Sequence, residues 1–438
     1  MITTSCIAIL IVVLLFLFMS KNIAHPIVLF LGIWLGCLFC ASLRLYNMKE
    51  FSDSGVMIII TGLITFCVGC FISMSRHNFK IRPPQSIPVA LPETTFNISW
   101  QAVYILLFAS LAGILILDLL ALKALMRGVS YSYIRNMYYG YGSAPKLIKN
   151  TFLSTYINWI SVPALYALIP VAMINLFETK NIFRHKKRLL FSVLVFLSAF
   201  MYIFGSAGRF MLIFLVVQMA TVFQVYHKKL PKKFKKQIFI LISVVVVIFL
   251  MISVVRASGA SGKKVNTFYA YLSIPVYLLD YWIDKVESAP RLYGGAFLYG
   301  ILTFFNYFTS KAGFVIPLYE KSYDMIQVTQ NGWVEIFPHE WYNAYVSMFY
   351  YFYIDFGIAG VIAGSVFFGY LCHEIYHIAF IRKNRNALIF YLIMIQCIVC
   401  SIVRWQLGTI TLVITLLFEW FIVSNKYKIK MPEIKFTL

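Results

Sequence analysis

Acidic residues are scarce in this chain. Asp and Glu together number 16 in 438 positions, and all charged residues make up only 12%. Soluble domains carry roughly 25% charge, so an ordinary water-facing surface is excluded. No internal repeat or soluble catalytic module is visible. Asp-x-Asp, the pattern that holds a metal–nucleotide sugar, is missing, which argues against a transferase fed by cytoplasmic sugar nucleotides. Disulfides are not expected either: all eight cysteines lie in or beside apolar runs, and none falls between 256 and 341. Cys37-x-x-Cys40, Cys67-x-x-Cys70 and Cys397-x-x-Cys400 mimic zinc spacing. Without His or carboxylate support, they read as small polarizable packing residues. Met1–Ser20 lacks a basic leader and a small-residue cleavage site, and reads as a retained span.

What the chain has instead is apolar sequence: 61% hydrophobic residues and a mean hydropathy of +0.81. These values predict an all-α polytopic membrane protein, a single domain over 1–438. A crossing needs roughly 20 apolar residues, and its backbone polar groups must be paired internally. A barrel would alternate along each strand, and these runs do not. Reading them gives about eleven crossings, over 3–20, 27–43, 55–74, 101–122, 151–176, 189–204, 210–226, 237–255, 357–380, 387–403 and 408–423.

The net charge of +22 invites a nucleic-acid partner, but its distribution argues against one. The basic residues cluster in Arg184-His-Lys-Lys-Arg188, Lys228–Lys236, Arg382-Lys-Asn-Arg385 and the Lys426–Lys435 tail. That is the positive-inside pattern of cytoplasmic loops, whose natural partners are anionic lipid headgroups. The N-terminus is therefore expected outside, the tail inside, and residues 256–341 as one large extracytoplasmic loop. One segment fits badly. Lys123–Asn150 carries Lys123, Arg127, Arg135, Lys146 and Lys149 with no acid, yet falls outside. Either the count slips before residue 150, or charges such as Arg127 and Arg135 face an anionic substrate.

Within the large loop, 270–283 and 292–308 are aromatic and semi-apolar, and are expected to form interfacial or re-entrant helices. Their tyrosines suit the headgroup layer, and also the faces of sugar rings. Residues 343–354 are apolar but short. If they crossed, the basic 382–385 loop would move outside, so they read as a half-helix leading into Asp355-Phe-Gly357. Irregular backbone at membrane depth needs protein or a wet cavity around it, which predicts Asp355 at a cavity.

Three arginines are expected at outer ends of spans: Arg209 in the turn Gly205-Ser-Ala-Gly-Arg209, Arg256, and Arg404 in Arg404-Trp-Gln406. An Arg within hydrocarbon costs about 2.5–3.5 kcal/mol on insertion scales, and its fork binds phosphate bidentately. Three on one face would clamp a diphosphate; the alternative is three snorkelling or capping arginines. His339 and Glu340 end the loop, where either can take a proton from a sugar hydroxyl or Glu340 can orient His339. Asp118 needs a partner. His373-Glu374-Ile-Tyr-His377 matches H-E-x-x-H, and with Glu419 would suggest an intramembrane zinc protease. Its run into Arg382-Lys383 reads more simply as a polar helix end.

Asn343-x-Tyr345, an aromatic run, Asp355-Phe-Gly357-x-x-Gly360 and Phe368-Gly369, after a long outer loop, resemble the Wzy-type oligosaccharide repeat-unit polymerases. Gly205-Ser-Ala-Gly-Arg209-Phe-Met-Leu resembles a second recurrent feature of that family, and H-E-x-x-H is no part of its pattern. The resemblance covers most of the chain. It implies metal-independent, cofactor-free glycosyl transfer in the bacterial inner membrane, on a helical scaffold related to O-antigen ligases. A growing glycan on undecaprenyl diphosphate would pass to a new lipid-linked repeat unit on the extracytoplasmic face, making O-antigen, capsule or exopolysaccharide beside a chain-length regulator. Arg209, Arg256 and Arg404 would hold the diphosphate and His339 or Glu340 would deprotonate the acceptor. Arg127, Arg135, Asn343 and Asp355 complete the expected substrate site. A flippase for the same lipid-linked sugars is the non-enzyme alternative, but should show internal repeats.

Overall fold

Long apolar runs leave the backbone no partner but itself, and helices dominate the computed structural model, which describes residues 2–79, 98–141, 144–178, 185–226 and 265–424. In chain order the helices are α1 (Ile2–Ser20), α2 (Pro26–Ser42), α3 (Asp53–Arg76), α4 (Trp100–Met126), α5 (Tyr131–Tyr139) and α6 (Thr151–Tyr156). A π turn at Ile157–Ser161 joins α6 to α7 (Val162–Glu178), followed by α8 (Lys186–Ser206), α9 (Phe210–Tyr226), α10 (Thr267–Val286), α11 (Tyr299–Lys311) and α12 (Pro317–Asn331). A hairpin of β1 (Val334–Phe337) and β2 (Glu340–Tyr342) precedes α13 (Ser347–Tyr376), a π turn at His377–Ile381, α14 (Arg385–Cys400) and α15 (Ile410–Val423).

Among the described residues, six helical segments are long and apolar enough to cross a membrane: α1, α3, α4, Thr151–Phe177, α8 and Ser347–Ile381. α2, α9, α14 and α15 are apolar but shorter. The expected span 237–255 and Arg256 lie outside the described residues. α14 is apolar on every side, and Tyr391 to Cys400 are all buried, as befits a central helix. α1 buries only Cys6, Phe16 and Ser20, and lies at the edge.

α3 and α13 pack closest. A Cβ added at Gly69 would sit 2.0 Å from the Val366 carbonyl oxygen, and one at Gly369 2.1 Å from that of Phe66. Here two backbones touch because neither side carries a side chain. All eight cysteines are free thiols.

The half-helix expected over 343–354 forms over Ser347–Asp355 and ends at a sharp break. Phe356 has φ −141° and Gly357 φ 63°, ψ −144°, so neither continues the helix. The chain then folds back. A methyl at Gly360 would lie 2.1 Å from the Phe352 carbonyl oxygen, and one at Gly364 2.7 Å from the Phe352 ring; a continuous helix would hold these pairs about 12 and 18 Å apart. α13 is therefore a short half-helix doubled against a long one. The end of the half-helix leaves carbonyls without intrahelical partners, and 291–293 supplies them. Arg291 Nη1 donates to the Tyr353 carbonyl (3.3 Å), and the amides of Leu292 and Tyr293 donate to Ile354 (3.0 Å) and Asp355 (3.2 Å).

The large loop is more ordered than its composition predicts. α10 covers 270–283 but is longer, and buries Ile274, Leu278 and Leu279. Residues 292–298 are not helical, and α11 starts only at Tyr299. Neither α12 nor the hairpin was expected. The hairpin pairs Val334 with Tyr342 and Glu335 with Trp341. Lys49 pins it, donating its amide to the Ile336 carbonyl (2.9 Å) and its ammonium to Glu335 (2.9 Å). That ammonium, helped by the His339 amide, holds the Glu335 carboxyl below its ordinary range.

The bundle has two chemically different ends. At one, Tyr131 donates to the Ile203 carbonyl (3.2 Å) and Tyr138 to Asn158 (3.0 Å), which brings α5 beside the turn at 207–209 and the start of Thr151–Phe177. α3 ends and α4 begins at the opposite end, where the Ser99 amide meets the Ile422 carbonyl and Arg188 lies over Trp100. Basic segment 123–150 thus shares an end with Arg209, as the span count requires.

Candidate functional site

The turn from α8 to α9 makes the site's first element. Ser206 donates to the Tyr202 carbonyl (2.6 Å) and accepts from the Gly208 amide (3.2 Å), and Ala207 adopts a left-handed φ of 48°. Beneath it, Gly205 leaves room for Asp118, whose Oδ1 would lie 2.3 Å from a Cβ there. Asp118 thus meets a helix end, not an arginine. The turn aims Arg209 inward. It is buried, lies 5.2 Å over the Tyr271 ring, and donates from Nη2 to the Tyr271 hydroxyl.

α5 contributes the second cation. Ser130 caps its start and Gly140, at φ 72°, ends it. Arg135 and Tyr139, four residues apart, share one helical face, and the guanidinium lies 5.7 Å from the Tyr139 ring and 5.4 Å from that of Tyr141. Arg135 and Arg209 line one small cleft, partly open to solvent, with Tyr139, Tyr166, Tyr202 and Tyr271. Tyr345 stacks on Tyr271 with centroids 5.4 Å apart, and Phe210 packs against both.

Arg404 completes the group. It lies half-buried just after α14, with its amide on the Cys400 carbonyl (2.9 Å). It interacts electrostatically with Tyr351, Tyr141 and Tyr139, and the last two also border Arg135. Arg135 therefore shares Tyr271 with Arg209, and Tyr139 and Tyr141 with Arg404. The ion pairs among the described residues are Arg44–Glu50, Lys49–Glu335 and His77–Glu374, so neither Arg135 nor Arg404 is neutralised by a carboxylate among them. Guanidinium groups taken from water without a counter-charge are costly. Such a cleft favours an anion.

Glu340 approaches from the hairpin. It is buried, accepts from the Tyr342 hydroxyl (2.6 Å) and from the Val265 amide (3.3 Å). Burial pushes the Tyr342 phenol up, and the adjacent carboxylate pushes it further, so the proton stays on Tyr342 and is donated to Glu340.

The remaining expected residues are not brought to the cleft. His339 is exposed at the hairpin turn, at φ 61°, with its amide on Glu335 (2.9 Å). Asn343 donates to the Gln330 carbonyl and accepts from the Tyr345 amide (2.9 Å), tying the hairpin to α12. Arg127 is an exposed cap on α4. The expectation that Asp355 lines a cavity is corrected: it is 2% exposed, and its carboxylate accepts the amides of Ala296 (2.9 Å) and Phe297 (2.8 Å). Those amides spend its charge on holding the loop before α11.

His373 Nδ1 lies 2.9 Å from Ser73 Oγ, and Glu374 binds His77 and Ser73. Among the described residues, no three His, Cys, Asp or Glu side chains are arranged to hold a metal ion. Tyr139 and Tyr351 were not anticipated in the site; Tyr271 was expected only as one of the loop tyrosines suited to headgroups or sugar rings. The spacing of Arg135 and Tyr139 held a signal for the first, whereas the others join the cleft only through tertiary contacts.

No family model, curated protein or solved structure matches the chain.

Proposed function

We propose that this protein is a multi-pass membrane glycosyltransferase that polymerises undecaprenyl-diphosphate-linked oligosaccharide repeat units for a bacterial surface polysaccharide. One observation carries the reading: Arg135 and Arg209 line one tyrosine-walled cleft, with Arg404 near its Tyr139. A lipid diphosphate supplies the anion such a cleft favours, and sugar rings suit its aromatic walls.

In the reaction, an acceptor hydroxyl on the new lipid-linked unit attacks the anomeric carbon at the reducing end of the growing glycan. The new C–O bond forms as the bond from that carbon to the diphosphate oxygen breaks. Negative charge grows on the departing undecaprenyl diphosphate, and the arginines stabilise it. The acceptor proton passes to Glu340, which is buried and accepts from Tyr342, rather than to the exposed His339. Orientation follows from charge bias. The end carrying Lys21, Arg76, Lys186–Arg188 and Arg382–Arg385 is assigned to the cytoplasm, and the cleft to the outside. Ten apolar helices together with 237–255 would make the eleven crossings. A chain-length regulator is the expected protein partner.

The test is complementation of a strain lacking its own polymerase. Arg135→Ala, Arg209→Ala, Arg404→Ala and Glu340→Gln, each at wild-type expression, should lower chain extension about 10²–10³-fold and leave single repeat units on the lipid. Wild-type polysaccharide ladders from all four would end the proposal.

A further inference from the structure

At the end of the bundle away from the cleft, four of the chain's seven histidines gather from three places. His25 precedes α2, His77 follows α3, and His373 and His377 lie at the end of α13 and in its π turn. Their rings form a series, with centroids 5.7 Å apart for His25 and His373, 6.5 Å for His373 and His377, and 3.8 Å for His377 and His77. The last two are parallel to within 4°. The far edge of the stack is ionic: His77 Nε2 lies 2.9 Å from Glu374 Oε2 and 3.0 Å from Oε1. Ser73 donates to Glu374 (3.0 Å) and meets His373 Nδ1 (2.9 Å).

Other groups face the same point. From α3, Arg76 donates to the Tyr370 hydroxyl (2.6 Å) and adds positive potential at Glu374. From before α2, Asn22 donates to the Tyr376 hydroxyl (2.9 Å), whose ring packs edge-on against His25. Tyr391 of α14 packs against Tyr376, and the Arg382 amide closes the π turn on the His377 carbonyl (3.0 Å). Glu374 is the acid facing the histidines among these groups, against Arg76 and four imidazoles.

We propose that this cluster is a proton-sensitive clasp between the ends of α3 and α13. With one proton on His77, the Glu374 carboxylate balances it and a neutral His377 can lie flat upon it. A second proton, on His377, sets two cationic faces 3.8 Å apart, with the Glu374 carboxylate at the edge of His77. Face-to-face contact is then repulsive, and the clasp opens. Opening exposes the imidazole to water, where an ordinary one titrates near pH 6.5, so protons favour the open clasp below that pH. The clasp stands on its own geometry and does not require the proposed activity.

Hydrogen exchange of the full-length protein in nanodiscs tests it, corrected for intrinsic exchange rates, at about pH 7.5 and about pH 5.5. Amides of 72–79 and 370–382 in the wild type should lose roughly fivefold protection or more at the lower pH. His377→Phe keeps a flat ring on His77 but cannot take the proton, and should be equally protected at both. Glu374→Gln should be open already at the higher pH. Unchanged wild-type protection would overturn the clasp without recourse to any variant, and so would a His377→Phe protein that opens at low pH as the wild type does.

Discussion

Arg135, Arg209 and Asp355 show how a charged side chain's surroundings decide what it does in an apolar protein. Arg135 faces an open cleft and tyrosine hydroxyls, so much of its hydrogen-bonding capacity remains for a ligand. Asp355 is buried with two backbone amides on its carboxylate, so its charge is committed to the fold. The difference can be measured. Asp355→Ala strips two charge-assisted hydrogen bonds and leaves buried amides unpaired, which should destabilise the protein by about 2–4 kcal/mol. Thermal unfolding in detergent would register it, whereas Arg135→Ala should leave that curve close to wild type. Equal, wild-type unfolding of Asp355→Ala would show that the loop before α11 does not depend on the carboxylate.

Between elements, the tightest contact is α3 against α13, where Gly69 and Gly369 let two backbones meet. Gly369→Ala places a methyl where the Phe66 carbonyl oxygen now lies 2.1 Å away. Backbone cannot swing aside as a side chain can, so the helices must part, at a cost of about 1–3 kcal/mol. The expected result is a lower melting temperature; an unchanged one would mean the pair packs less closely than described. Because α13 also carries the half-helix with Tyr351, parting the helices should disturb the surroundings of Arg404. The break at Phe356–Gly357 was legible in advance, since Asp355-Phe-Gly357 interrupts an apolar run. The clamp that Arg291 and its neighbours place on the half-helix was not, because those residues sit more than fifty positions away in a loop without periodicity.

Over the whole molecule, the two ends carry different chemistry, arginine and tyrosine at one and histidine with a basic fringe at the other. The proposed orientation predicts which reagents reach which end. On a background with its own cysteines replaced, Lys146→Cys should react with a membrane-impermeant maleimide in intact cells, and Lys187→Cys only after permeabilisation. Both positions are exposed, so the reverse pattern would invert the topology and remove the outward-facing site.

Sequence by itself determined the class of the molecule, because long apolar runs have one stable backbone solution in lipid and short basic loops bias its direction. It also marked Arg209 at a glycine-rich turn, Arg404 between two spans, and a half-helix ending at Asp355. Only the tertiary structure decided which charges meet. Arg135 and Arg209 are 74 positions apart and share a cleft through the packing of α5 on the α8–α9 turn. His77 and His377, 300 positions apart, lie face to face through the packing of α3 on α13. The local pattern of a sequence records periodicity and turns, whereas contact between distant side chains depends on helix rotation and depth. Apolar stretches rich in interchangeable Leu, Ile, Val and Phe leave both weakly marked.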